Sequence, residues 1–416
     1  MSEANEGVSR RRFLEVVGAA GIGSVIGSKV FADSTSSPQA DSNEPNGQKE
    51  QSAQPLELPK RKLGKTGVEI SSLAVGVAFN AVDNQIMLRK AVDWGATCWD
   101  TSHFYENGNS ELGIGKFLEK NTDVRKKLFL MTKASFAKNA EEIEKKLQTS
   151  FQRMKTDYID LYFGVHGLSN PAQLNDEMKK WVEKAKERKV IKYFGFSTHA
   201  NMADCLMAAS KLDWIDAVMP SYNFRLMQDK KLSDAVQACY DAGVGVIAMK
   251  TQGKEISPNE ADKKLMEHFS AKGFTLGQAK IKLVLEDKRI TAACVGRGEI
   301  ALLRENVAAV LDKKDLTQLD KEVLKNYAAE TCSGYCAGCA NICDSVAAGI
   351  PVSDVMRYLM YYNSFGDTKT ARQLFAEIPQ QTRDKMLMAD YAAAELRCPQ
   401  RLPIARFMNQ AVHMLT

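Results

Sequence analysis

Short apolar runs alternate with longer amphipathic stretches through most of the chain. The apolar runs are nearly continuous, as in strands buried on both faces, and the stretches between them have helical periodicity. The predicted strands are 73–78, 97–100, 128–133, 159–166, 193–197, 217–222, 244–250 and 292–296. The predicted helices are 84–94, 111–119, 140–154, 171–188, 202–211, 231–242, 276–286 and 300–311, with an additional helix at 261–271. Eight strands, each followed by a helix, predict an α/β fold, a (β/α)8 TIM barrel, over residues 59–325.

The start of the chain has a different pattern. Residues 9–14 read SRRRFL, and a Gly- and Ala-rich apolar run follows them. This start is typical of a twin-arginine export signal, predicted over residues 1–32, with an uncleaved anchor or a chance basic start as alternatives. It predicts an exported, periplasmic protein with no stable membrane span once the signal is removed. Residues 33–58 are rich in Ser, Pro, Gln, Asn and Asp, which predicts a disordered linker.

The charge balance argues against one class of partner. The chain has 56 Lys and Arg residues against 51 Asp and Glu residues, a formal net charge of +5. Because the two signs are nearly balanced, we expect no nucleic-acid binding.

Polar side chains follow the second, third and fourth predicted strands, where barrels of this type carry their chemistry. They are Asp100, Lys133 and His166, with Tyr105 five residues after Asp100. A carbonyl that receives a hydride develops negative charge on its oxygen and needs a proton donor. Tyr105 is a weak acid by itself, with an ordinary pKa near ~10, which we expect Lys133 to lower while Asp100 positions Lys133. His166 can donate a hydrogen bond to the carbonyl oxygen.

Each of these residues also has a structural interpretation. His166 can be a hydrogen-bonded core histidine, and Lys133 with Asp100 can be an ion pair at the mouth of the barrel. The arrival of all four residues at the required strand ends favours the catalytic interpretation.

The same segments carry a resemblance to a known family. RKLGKTGVEISSLAVGVAF, DTSHFYENGNSE, MTKAS and VHG are similar to the first hairpin, the first strand and the catalytic motifs of the aldo-keto reductases. The resemblance covers about residues 60–312. It implies that Tyr105 is the acid, assisted by Asp100, Lys133 and His166. It also implies a nicotinamide cofactor, usually NADPH, on a barrel without a Gly-rich dinucleotide motif.

The nicotinamide end of the implied cofactor site departs from the family pattern. Ser197 matches the serine that helps to bind the carboxamide. Thr198 stands where the family has asparagine, Met219 where it has glutamine, and Met249 where an aromatic residue often stacks on the ring. Thr198 can still form one hydrogen bond, and a methionine can pack softly on a ring.

The phosphate end keeps more of the pattern. Arg297 can pair with a 2′-phosphate, which favours NADPH over NADH, and Lys250 can meet the pyrophosphate. Glu305 and Asn306 match the pair that the family places beside the adenine. A surface position is the alternative for Arg297.

Residues 326–416 form a predicted helical tail with five cysteines. Their arrangement resembles a degenerate bacterial ferredoxin, which implies a small C-terminal ferredoxin-like metal-binding tail with one 4Fe-4S cluster. The implied ligands are Cys332, Cys336, Cys339 and Cys398, with Cys343 spare; the rival set is the four cysteines of 332–343. Zinc, disulfides formed after export, or thiols without any metal are the alternatives.

Three functions are compatible with these patterns. The first is an NADPH-dependent oxidoreductase that acts on a small-molecule carbonyl or alcohol and is coupled to the cluster, with room for a redox partner. The second is an exported redox or binding protein of the same fold whose nicotinamide chemistry has decayed, as Thr198, Met219 and Met249 suggest. The third is a structural metal module that docks a partner. The intact set of four catalytic residues favours the first.

Overall fold

A closed barrel of eight parallel strands follows a short antiparallel hairpin. The computed structural model describes residues 56–252, 259–296 and 298–416. The strands are β1 Lys60–Lys62, β2 Glu69–Ser71, β3 Leu73–Gly76, β4 Cys98–Asp100, β5 Phe129–Ser135, β6 Ile159–His166, β7 Ile191–Thr198, β8 Ala217–Pro220, β9 Gly245–Ala248 and β10 Ile290–Val295. β1 pairs with β2, and the barrel order is β10-β3-β4-β5-β6-β7-β8-β9. The predicted (β/α)8 barrel is confirmed.

Strand bounds differ from the prediction by a few residues, for local reasons. β6 has the predicted bounds. β8 ends at Pro220 instead of residue 222, because proline has no N–H to continue the ladder. Beyond it, Ser221 forms only an isolated bridge with Met249.

The barrel helices lie at or near their predicted positions. They are α1 Gln85–Asp93, α2 Asn109–Lys120, α3 Ala140–Met154, α4 Asp176–Glu187, α5 Met202–Ala209, α6 Lys230–Asp241, α7 Glu260–Ser270, α8 Leu276–Glu286 and α9 Ile300–Leu311. α3 shows why the pattern works: its first turn is capped by the Asn139 side chain, and its buried positions follow helical spacing from Ile143 to Met154. The additional helix predicted at 261–271 is α7, between β9 and α8.

The hairpin closes the N-terminal end of the barrel. Leu63, between β1 and β2, is fully buried in the interior cluster. Gly64 has φ +51°, and a β-carbon there would lie 2.1 Å from the carbonyl oxygen of Gly243. Only glycine permits this close approach of the two chain segments. The opposite end of the barrel is therefore the end open to a ligand.

The tail consists of helices in the residues that the structure describes after α9. They are α10 Gln318–Glu330, α11 Ala340–Cys343, α12 Val352–Phe365, α13 Thr368–Ala376, α14 Gln380–Met386, α15 Ala392–Arg397 and α16 Ile404–Leu415. The last five helices share an apolar core of their own, which includes Leu359, Phe375 and Met408. This confirms a helical tail; its likeness to a ferredoxin stays a prediction.

The predicted export signal and most of the predicted linker lie outside the described residues. Leu56 and Leu58, assigned to the linker, are buried in the barrel core. Among the described helices, none combines the length and the apolar character that a membrane crossing requires.

Candidate active site

An ion pair between Lys133 and Asp100 lies at the C-terminal end of the barrel. The Nζ of Lys133 donates to both carboxylate oxygens of Asp100 at 2.6 Å and to the carbonyl oxygen of Thr101 at 2.8 Å. β4 and β5 are neighbours in the barrel, which brings the two side chains to one edge. Both residues are buried, and the ammonium group has three acceptors. The pair is therefore held in one arrangement.

Tyr105 lies on a tight turn just beyond β4. The turn spans Tyr105–Gly108, with Glu106 and Asn107 in the left-handed region at φ 52° and 55°. The Nζ of Lys133 lies 4.9 Å from the centroid of the Tyr105 ring. The rings of Tyr105 and His166 meet edge to face, with centroids 6.1 Å apart. The structure thus brings together all four residues that the sequence singled out.

Two serines orient the imidazole of His166. Its Nδ1 lies 2.7 Å from the Oγ of Ser135 and 3.3 Å from the Oγ of Ser102, and the two hydroxyls lie 2.6 Å apart. A serine hydroxyl that donates to Nδ1 selects the tautomer with hydrogen on Nε2. That nitrogen is then the donor for a ligand oxygen. The sequence analysis missed both serines, although each lies close to a predicted catalytic residue in the chain.

The expected lowering of the Tyr105 pKa is wrong for this arrangement. Burial raises the pKa of Tyr105 well above its ordinary value, and the charge of Asp100 acts in the same direction. The physical reason is that burial removes the hydration of a phenolate, and the Asp100 charge beside Lys133 offsets part of the attraction that the ammonium exerts. Tyr105 therefore holds its proton, which suits a proton donor.

The imidazole of His166 is neutral at physiological pH. Burial lowers its pKa well below the ordinary value, and the charges of Lys133, Arg357 and Lys250 add to the effect. A neutral imidazole donates through one nitrogen only. His166 is therefore placed to bind an oxygen atom rather than to exchange a proton with it.

The tail contributes to this site, which the sequence did not predict. Phe104, directly before Tyr105, packs against the apolar core of the tail. Glu106, directly after it, forms an ion pair with Lys369 at 3.4 Å. The rings of Tyr361 and Phe365 on α12 lie 4.4 and 4.5 Å from the Nζ of Lys250. α12 therefore covers part of the barrel mouth at Lys250, and the tail contacts the Tyr105 turn through the residues on both sides of Tyr105.

A cleft of about 460 Å³ runs from the catalytic residues toward α9. Asp100 and Tyr105 line one end, Met249, Lys250 and Phe365 the middle, and Glu299, Leu302 and Glu305 the other end. The N-cap residue of α9, Glu299, forms no side-chain cap hydrogen bond, and the backbone N–H groups of a first helical turn can bind an anion. The size suits a small-molecule or cofactor site.

The residues predicted to bind the nicotinamide end, Ser197, Thr198 and Met219, have contacts within the barrel. The Oγ of Ser197 accepts from the Gly167 amide at 3.2 Å. The Thr198 hydroxyl donates to backbone carbonyls of Leu168 and Ala200, so the hydrogen bond expected from it serves the backbone. Met219 is buried inside the barrel.

Two further predicted cofactor residues, Glu305 and Asn306, lie at or beside the far end of the cleft. Glu305 lines it. Asn306 is buried, and its Oδ1 accepts from Gln252 at 2.8 Å, so its amide orients a cleft residue. Arg297 lies outside the described residues.

The tail cysteines are near one another without forming a ligand set. All five are free thiols: Cys332, Cys336, Cys339, Cys343 and Cys398. Within the described ranges, no three His, Cys, Asp or Glu side chains meet as metal ligands would. Burial raises the pKa of Cys336 to about 12, and the charges of Cys339 and Cys398 contribute. The cysteine segment is fixed to the barrel, since the Asn201 amide donates to the carbonyl oxygen of Gly338 at 2.7 Å.

Comparisons with known proteins agree with this geometry. The family model described as "Aldo/keto reductase family" matches residues 71–323, more than half of the chain. The chain belongs to this family. It is therefore an oxidoreductase of the aldo-keto reductase type.

Individual relatives share modest identity with it. The aldo-keto reductase yakc of Schizosaccharomyces pombe, whose name specifies NADP(+), is 32% identical over 224 residues, which are 48% of this chain and 62% of that protein. The L-galactose dehydrogenase of Arabidopsis thaliana is 25% identical over 299 residues, covering 65% of this chain and 93% of that protein. The solved aldo-keto reductase AKR11C1 of Bacillus halodurans, at 20% identity, has the same fold, with a TM-score of 0.54 over 65% of this chain and 96% of its own. These matches span about two thirds of the chain or less, and the family model ends at residue 323.

Proposed function

We propose that this aldo-keto reductase transfers hydride between NADPH and a small-molecule carbonyl or alcohol, with Tyr105 as the acid and base. The observation that carries the proposal is the convergence of Tyr105, His166 and the Lys133–Asp100 pair, of which Tyr105 and Asp100 line the cleft. The chain's membership of the family and the name of the fission yeast relative support NADPH.

Each residue has one task in carbonyl reduction. The Nε2–H of His166 donates to the carbonyl oxygen and orients it. The Tyr105 hydroxyl gives its proton to the same oxygen as negative charge develops there. The Lys133 ammonium, fixed by Asp100 and positioned beneath the Tyr105 ring, favours the phenolate left behind. In alcohol oxidation, the tyrosinate takes the proton back.

The cleft fits the nucleotide in part. A reduced nicotinamide nucleotide, when bound, would supply the hydride to the carbonyl carbon and would itself be oxidised. The carbonyl oxygen would receive the proton of Tyr105. Met249 can pack on the nicotinamide ring, and Lys250 can pair with the pyrophosphate. The first turn of α9, which has no side-chain cap, can bind an anion. The Thr198 hydroxyl is turned to the backbone, so the carboxamide contacts of the family are reduced. This departure predicts weaker cofactor binding rather than loss of the chemistry.

Replacement of Tyr105 by phenylalanine tests this function. Y105F removes the proton donor and keeps the ring, so we expect turnover with NADPH to fall by about 10²- to 10⁴-fold. Binding of NADPH, measured by fluorescence titration, should change less than about threefold. Y193F is the matched control, because the Tyr193 hydroxyl lies at the other end of the barrel, 3.5 Å from the Thr66 carbonyl oxygen. Equal turnover in Y105F and Y193F contradicts the assignment.

For the tail we propose a metal site, with one 4Fe-4S cluster as the first hypothesis. The specific support is that Cys336 and Cys398, far apart in the sequence, both pack against the apolar core of the tail that contains Cys343. The thiols suit iron or zinc, but the described arrangement is not a ligand set. No catalytic step is assigned to this group.

Iron and sulfide assays on the anaerobically purified chain test the metal proposal. We expect about four iron and four sulfide ions per chain. C398S should lose them, whereas C239S should keep them, because Cys239 is buried in the barrel core. Zinc alone, or no metal, contradicts the cluster.

Export to the periplasm is also a proposal, supported by the SRRRFL segment. Replacing Arg10 and Arg11 together by lysine should keep the protein in the cytoplasm of a bacterial host, as measured by fractionation. Unchanged fractionation would contradict it.

A further inference from the structure

Arg357 on α12 lies over the catalytic end of the barrel. Its Nη1 is 4.0 Å from the position that a β-carbon on Gly167 would take, and Gly167 directly follows His166 in the chain. Its charge contributes, after burial, to the lowered pKa values of His166 and His199. An arginine from the tail is therefore placed beside the residue that binds the reacting oxygen.

The guanidinium of Arg357 retains unused hydrogen-bonding capacity. Its Nη2 donates to the Oδ1 of Asp354 at 2.7 Å, one turn away on the same helix, and the guanidinium also interacts with Tyr358, whose ring centroid lies 5.3 Å from its Cζ. Its Nε is buried and has no hydrogen-bond partner. A buried donor without an acceptor is unfavourable, so its retention calls for an explanation.

The charges around Arg357 favour an anion at this place. Lys133 is paired with Asp100, and burial keeps His166 and His199 neutral. Lys250, whose Nζ lies 4.4 Å from the centroid of the Tyr361 ring, adds a second positive charge. Asp354, the acidic partner of Arg357 at 2.7 Å, has a side chain that is 42% exposed, so solvent weakens the pair and Asp354 neutralises the guanidinium incompletely.

We propose that Arg357 binds the carboxylate of the substrate and selects carbonyl compounds with a carboxylate next to the reacting carbon, as in a 2-oxo acid. This inference rests on the proposed function, because it places the carbonyl oxygen at His166 and Tyr105. We infer that the carboxylate, one bond away from that carbon, lies on the side where Arg357 approaches Gly167. Arginine suits this task, since its planar guanidinium offers two parallel donors to a carboxylate.

A matched pair of substrates tests the selection. Phenylglyoxylate and its methyl ester present the same ketone with and without a negative charge. We expect R357M to lower kcat/KM for the acid about 10- to 100-fold, the size of a charged hydrogen bond, and for the ester less than about threefold. R357K should lie between R357M and the wild type.

R383M is the control for loss of a tail arginine. Arg383 also has a buried Nε without a partner, but it stacks on Phe375 within the tail. Its removal should change both substrates equally and by less than about threefold. A fall of the acid and the ester by the same factor in R357M, or in R357K if R357M does not fold, overturns the proposal.

Oxamate binding separates this inference from the proposed function. Oxamate carries a carboxylate beside a carbonyl, and its effect on the melting temperature can be measured on the full chain without NADPH. We expect stabilisation of the wild type and R383M and none of R357M. If the wild type turns over neither substrate, the reductase proposal fails, and oxamate alone decides on Arg357. Equal stabilisation of R357M and the wild type, or no stabilisation of the wild type, contradicts a carboxylate site.

Discussion

The barrel and the tail of this protein contribute to one site in different ways. The barrel supplies Asp100, Lys133 and His166 from strands that neighbour one another, and their places follow from strand order. The tail has an apolar core of its own, yet α12 brings Tyr361 and Phe365 to the barrel mouth. The comparison suggests a division of roles: the barrel performs the chemistry, and the tail shapes what reaches it.

The largest expected effect is on the barrel side, from K133M. It leaves Asp100 buried without a partner, which should lower the free energy of unfolding by about 3–5 kcal/mol and reduce turnover below detection. The double variant D100N/K133M should regain most of the stability but no activity, as measured by chemical denaturation and NADPH consumption. Activity in the double variant would place the chemistry elsewhere.

A smaller effect is expected on the tail side, from F365A. Phe365 lines the cleft and stacks on Lys250, so its loss should raise KM about 3- to 10-fold while kcat changes less than about threefold. F407A is the matched control, since Phe407 stacks on Arg406 within the tail. If F365A lowers kcat rather than raising KM, the proposed division between barrel and tail does not hold.

The smallest effect concerns pH. Burial lowers the pKa of His166 well below its ordinary value and raises that of Tyr105 well above its own. His166 therefore stays neutral and Tyr105 protonated, so kcat/KM for a neutral carbonyl substrate should be flat between about pH 6 and 9. An ionisation near pH 6.5 in the profile would show that His166 titrates.

The same shift predicts a trend in stability. An unfolded histidine binds a proton below about pH 6.5, whereas folded His166 does not. The unfolded chain then binds more protons, so the contribution of His166 to stability falls as the pH drops through this range and is constant above it. H166N should flatten this part of the curve of unfolding free energy against pH.

The sequence predicted what depends on short-range pattern. The strand ends at Asp100 and His166 could be found because apolar runs stop there and a barrel brings strand ends together. The raised pKa of Tyr105 could not be found, because it depends first on how deeply the side chain is buried and then on the nearby charge of Asp100. The hydrogen bond from the Thr198 hydroxyl to the Leu168 carbonyl oxygen could not be predicted either, because it depends on the path of the backbone between the two residues.

Arg357 shows the limit most clearly. In the sequence it is one basic residue in an amphipathic stretch, and nothing near it in the chain points to Gly167 or His166. Its place depends on the packing of α12 across the barrel, a contact between segments far apart in sequence. The pairing of Glu106 with Lys369 belongs to the same class.

Hydrogen–deuterium exchange of the full chain tests the shared site most directly. Peptides that cover α12 should be compared with peptides that cover α16, with and without NADPH and oxamate. Our account predicts slower exchange in α12 around Arg357 to Phe365 when the ligands are bound, and no change in α16. Slower exchange at the ends of β4 to β6 without any change in α12 would contradict it, because the tail would then take no part in the site.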